Sequence, residues 1–80
     1  MEVKVLGSGC ANCRSTAALI EQVAAERGVA ISLLKIEDMP AIVAHGVMRT
    51  PGVVVDGRVV HAGGVPSREK VQGWFDAPPA

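Results

Sequence analysis

The feature that most constrains this chain is a junction. The run Glu2-Val3-Lys4-Val5-Leu6 stops at Gly7-Ser8-Gly9, and Cys10-Ala11-Asn12-Cys13 then opens a helical pattern. The first run is apolar and β-branched enough for a strand, and the glycine pair supplies a tight turn. Beyond it Ala17, Ile20, Val23 and Ala24, with Leu19 beside them, recur at three- and four-residue steps, while Arg14, Glu21, Gln22 and Glu26 fall on other faces. Gly28 supplies the stop. Both cysteines of the chain therefore sit where a strand turns into a helix.

That placement has an electrostatic consequence. The first helical turn carries unpaired N–H groups and the positive end of the helix dipole, which favour a thiolate over a thiol. Cys10 is expected to ionise more readily than a free cysteine. Cys13, one turn on and on the same side, is within reach for a disulfide. On the residues alone the pair suits dithiol redox chemistry, half of a zinc or copper site, or merely two buried thiols. A closed four-ligand site within one chain is not expected, because His45 and His61 are not spaced as a second ligand pair.

Eighty residues make one domain with a small core, and one Trp and one Phe leave that core to Val, Ile, Leu and Ala. Eight basic residues balance eight acidic ones, with no basic stripe and no interleaved aromatics, so nucleic acid is not an expected partner. Nothing approaches about 18 consecutive apolar residues, so a membrane span is not expected either. The chain shows no signal-peptide pattern and reads as cytoplasmic, a compartment where a single cysteine pair suits catalysis or metal binding better than a structural staple.

Val29 to Ile36 reads as a second strand, at a sheet edge and parallel to the first, since a strand, helix and strand of these lengths form a right-handed crossover. Asp38 can cap a short helix through Ala41, Ile42, Val43 and Ala44, with Pro40 in its first turn and Gly46 at its end. His45 then reads as a surface residue at the negative end of that helix. Asp56-Gly57 between Gly52-Val53-Val54-Val55 and Arg58-Val59-Val60 is a two-residue hairpin signal. Gly63-Gly64 closes the hairpin. Ser67 can cap a last helix, in which Val71, Trp74 and Phe75 are expected in the core. Residues 1–76 are expected to form the domain and 77–80, with two prolines, a flexible tail. Pro51 has two readings: the start of a strand, or a cis bond to Thr50 that turns Thr50's backbone toward the dithiol.

The whole order resembles the thioredoxin fold in its minimal, glutaredoxin-sized form. More narrowly, Gly7-Ser8-Gly9-Cys10-Ala11-Asn12-Cys13, Gly46-Val47-Met48-Arg49-Thr50-Pro51 and Val55-Asp56-Gly57-Arg58-Val59-Val60 are similar to the small redox-active-disulfide proteins of the thioredoxin-like superfamily. The resemblance implies an α/β, βαβ-α-ββα fold: a four-stranded mixed sheet in the order 2-1-3-4, with the first and last helices on one face and the short helix on the other. It implies a cis Thr50–Pro51 bond and a thiol–disulfide oxidoreductase in which Cys10 attacks, Cys13 resolves, and Thr50, Pro51, Gly63 and Gly64 meet the substrate. Ser67 and Arg68 would serve an anion at the last helix start, as where glutaredoxins hold a glutathione carboxylate. No cofactor beyond the Cys10–Cys13 disulfide is expected. The partners implied are a disulfide-bearing protein or small thiol, with a reductase or glutathione as electron donor, acting on a monomer. A carrier of metal or metalloid using the same two thiolates, within one chain or across a dimer, is the alternative.

The pattern also departs from its relatives. Ala11-Asn12 is neither the Gly-Pro of thioredoxins nor the Pro-Tyr of glutaredoxins, no aromatic precedes Cys10, and no counterpart to a buried carboxylate under the motif is evident. Lys4, in a central strand, has two readings: a side chain snorkelling to the rim, or a charge that supports a thiolate. Arg14 has a similar pair of readings, a solvated helix face or added positive potential.

Overall fold

In a computed structural model, which describes residues 1–76, the elements run β1 (Glu2–Leu6), α1 (Ala11–Arg27), β2 (Ser32–Ile36), α2 (Met39–Ala44), β3 (Gly52–Val55), β4 (Arg58–Ala62) and α3 (Arg68–Asp76). The tail expected over 77–80 lies outside the described residues. The sheet order is β2-β1-β3-β4, with β1 parallel to β2 and antiparallel to β3, and β3 antiparallel to β4. No helix among the described residues is long and apolar enough to cross a membrane.

The period-two alternation of the strands assigns each residue to a face. Val3 and Val5 of β1 and Val53 of β3 join Ala17, Ile20 and Val23 of α1 and Val71 of α3 in the larger core. Leu6, Val54 and Ile42 of α2, with Val47, form the smaller one on the opposite face. The helices thus divide two and one across the sheet. Two ion pairs, Arg27 to Asp76 at 2.6 Å and Arg68 to Glu26, tie α1 to α3. Both are surface pairs, worth at most about 1 kcal/mol each.

Helix ends follow their local chemistry. Gly28, at φ 66°, closes α1: its N–H donates to the Ala25 carbonyl and that of Val29 to the Ala24 carbonyl. This double closure explains why β2 begins at Ser32 and not at Val29, since the Val29 amide is spent on finishing the helix. Asp38 caps α2, its Oδ2 accepting from the Ala41 N–H at 3.2 Å, and Ser67 caps α3, its Oγ accepting from the Lys70 N–H at 3.1 Å. Asp56 and Gly57 both take positive φ, 48° and 83°, as a primed hairpin turn requires. Between Val53 and Val54 the pairing with β4 slips, because His61 faces Val53 while Val59 faces Val54. Val60 is the extra residue of this bulge. It packs against the larger core. Trp74 and Phe75 do so as well, half-buried at its margin and not sealed within it as Val71 is.

Candidate active site

Cys10 is the N-cap of α1, extended at φ −69° and ψ 170°, and its own sulfur does the capping: the Cys13 N–H donates to Cys10 Sγ at 3.4 Å. The Cys10 carbonyl accepts the first intrahelical bond, from the Arg14 N–H at 3.0 Å. One turn in, Cys13 points back over the same end of the helix. The two Sγ atoms are 2.8 Å apart, within hydrogen-bonding reach of each other. Cys10 is exposed, whereas Cys13 is 6 % exposed.

This difference separates the two acids. Cys10's pKa lies below its ordinary value because the Cys13 side chain hydrogen-bonds to its sulfur, and the Cys13 and Asn12 backbones add to the effect. Cys13's is raised, first by burial and then by its hydrogen bond with Cys10. The outer sulfur is therefore the more readily ionised of the two and the inner sulfur the more firmly protonated. Cys10 is also the sulfur that the surface exposes.

Gly7 has a role its neighbours in the turn do not share. It is buried, and a β-carbon there would run into Cys13 Sγ and lie 3.6 Å from Thr50 Cβ. The missing side chain is the room in which the inner sulfur sits, and the same contact puts Thr50 beside it. The Thr50–Pro51 bond is cis, with Thr50 exposed and Pro51 buried. The Pro51 carbonyl accepts from the Gly63 N–H at 3.0 Å, so the Gly63-Gly64 turn, at φ 85° and 70°, is fastened to the same corner. Cys10, Cys13, Thr50, Pro51 and Gly63 are thus linked from contact to contact. Gly64 is one residue further out, its carbonyl bonded by His61 Nε2 at 2.9 Å.

Other side chains named from the sequence lie elsewhere. Arg68 does not stand unpaired at the α3 start, because its guanidinium pairs with Glu26 on α1. Lys4 is half-buried and reaches Glu2, at 3.6 Å, instead of the sulfurs. Arg14 donates to the Gly9 carbonyl at 2.6 Å. His45 Nδ1 bonds the Ala41 carbonyl at 2.8 Å, and His61 Nδ1 meets Lys70 Nζ at 2.8 Å. Among the described residues no three or more His, Cys, Asp or Glu side chains converge as a metal site would need. Two residues near the dithiol carry no sequence signal. Glu37 places Oε1 3.1 Å from where a β-carbon on Gly9 would stand, and Thr16, fully buried, satisfies its hydroxyl on the Asn12 carbonyl at 2.8 Å. Thr16 is the only buried polar or charged side chain among the described residues, so no buried carboxylate underlies the motif.

A family model described as a thioredoxin domain matches residues 1–76. A thioredoxin of Methanothermobacter thermautotrophicus is 32 % identical over 72 residues, covering 90 % of this chain and 94 % of its own. A thioredoxin of Methanocaldococcus jannaschii is 31 % identical over 70 residues, covering 88 % of this chain and 80 % of its own.

Proposed function

The chain belongs to the thioredoxin domain family, and from that premise we propose that it is a thiol–disulfide oxidoreductase whose working groups are Cys10 and Cys13. The observation that carries the reading is the division of labour between two sulfurs 2.8 Å apart, one exposed with a lowered pKa and one buried with a raised pKa.

The Cys10 thiolate attacks one sulfur of a substrate disulfide, forming a mixed disulfide and releasing the other sulfur as a thiolate that takes up a proton. Cys13 loses its proton and attacks Cys10 Sγ. The intramolecular disulfide forms, the bond to substrate breaks, and the second substrate sulfur leaves as a thiol. Two electrons have passed from the dithiol to the substrate. An external reductant must return them, and a reductase is the donor class that goes with this family. Thr50, Pro51, Gly63 and Gly64 form the docking corner, where the exposed backbone before Pro51 pairs with an extended substrate. A disulfide-bearing protein fits this corner better than glutathione, because Arg68, the side chain expected to hold a glutathione carboxylate, is engaged by Glu26. Residues 1–76 act as one domain.

Trapping tests the assignment. Cys13→Ser, mixed with a disulfide substrate, should accumulate a covalent adduct on Cys10, while Cys10→Ser should accumulate none. Equal trapping by the two variants would reverse or abolish the roles, and stoichiometric bound metal with no disulfide reduction would favour a carrier instead.

A further inference from the structure

Arg49 stands immediately before the Thr50–Pro51 corner, and its surroundings set it apart from the chain's other arginines. Arg14 is bonded to the Gly9 carbonyl, Arg27 to Asp76 and Arg68 to Glu26. Arg49 has no ion-pair partner among the described residues. Arg58, also without one, lies in the β3–β4 hairpin at the far end of β3 from Thr50. The Arg49 stem is nevertheless held: it lies across Gly63, where a β-carbon would come within 3.2 Å of Arg49 Cβ and 3.3 Å of Cδ. Gly63 is itself bonded to the Pro51 carbonyl. The turn therefore seats the arginine's aliphatic part and leaves its exposed guanidinium at the edge of the corner.

We infer that Arg49 is a specificity-determining residue that reads a carboxylate carried by the substrate within a residue or two of its reacting cysteine. The inference rests on the oxidoreductase reading and deepens it. A guanidinium on a seated stem loses little freedom when it pairs with a carboxylate, and it can do so through two parallel hydrogen bonds. A carboxylate beside a disulfide could come from an acidic residue of a protein or from glutathione. The surroundings favour the protein. A groove of about 250 Å³ borders Thr50 along α2, lined by Met39, Ile42, Val43, Val47 and Met48. This suits an apolar side chain further along the same polypeptide, and glutathione has none to offer.

The test uses two peptides with one disulfide each, identical except for Glu or Gln next to the attacked cysteine. Reduced wild-type protein should show a kcat/KM ratio, Glu over Gln, of about fivefold at low salt, shrinking as salt rises. Arg49→Met, which keeps an unbranched stem over Gly63, should bring the ratio to about one, and Arg49→Lys should keep most of it. A wild-type ratio of one, or a ratio that survives in Arg49→Met, overturns the assignment while reduction of the Gln peptide upholds the oxidoreductase reading. If neither peptide is reduced, that reading falls and takes the inference with it. Reduction of glutathione disulfide at a rate above the Glu peptide's, and dependent on Arg49, overturns the protein as the source of the carboxylate.

Discussion

The two faces of the sheet are built to different standards. On the α1–α3 side Val3, Val5, Ile20, Val23, Val53 and Val71 are sealed and two helices lie over the strands. On the α2 side a helix of 6 residues covers Leu6, Val54 and Val47, with Ile36 at the margin, leaving Leu34, Val59 and Lys4 partly open along the strands and Val43 and Met48 exposed, at 64 % and 93 %. Thr50 lies in the apolar groove of that thinner face, and the dithiol stands beside Thr50 at the start of α1. A small domain can keep one face for stability and leave the other incompletely covered for contact with partners.

Core truncations should expose this asymmetry most strongly. Ile20→Ala, emptying a site walled by α1, α3 and the sheet, is expected to cost about 4 kcal/mol, and Ile42→Ala about 2 kcal/mol, because the groove beside α2 can close over the space. Equal costs by denaturant unfolding would mean that the thin face is as tightly packed as the other. Next in size is Gly7→Ala. The new methyl collides with Cys13 Sγ, so a loss of about 1–3 kcal/mol is expected in the reduced protein, with slower disulfide formation. An unchanged melt and unchanged oxidation rate would remove Gly7 from the site. Smallest is Asp38→Ala, which deletes the α2 cap and should cost about 1 kcal/mol. Hydrogen exchange should locate that loss in α2 and its neighbours, with α1 and α3 amides affected only through the global stability.

Much of this was legible in the residues. Strand, Cys-x-x-Cys and helix are local patterns, Asp56-Gly57 dictates its own turn, and Asp38 and Ser67 act as caps within three residues of themselves. What escaped depends on neighbours far along the chain. The start of β2 was displaced by helix closure at Val29, and the bulge at Val60 is visible only in the pairing of β3 with β4. Gly7 reads as a turn glycine, although the sulfur that needs its space lies six residues on. Arg68 looked free until α1 brought Glu26 beside it. The isomer at Thr50–Pro51 leaves no mark in composition, and the resemblance to the thioredoxin family, not the residues alone, anticipated it.

The separation of the two thiols also fixes how the chemistry varies with pH. Attack requires the Cys10 thiolate, so its rate should rise with pH through Cys10's lowered pKa and reach half its maximum below the pH at which an ordinary cysteine is half ionised. A half-maximum at or above the pH where free cysteine titrates would remove the advantage assigned to Cys10.

The most direct test of the whole account is residue-resolved alkylation of the reduced protein with iodoacetamide, followed by mass spectrometry across a pH series. Cys10 should be modified first at every pH, with its half-point below that of free cysteine, while Cys13 stays protected until well above it. Cys13 reacting first, or both cysteines sharing the profile of a free thiol, would contradict the claim that one sulfur at the start of α1 ionises more readily because of the other.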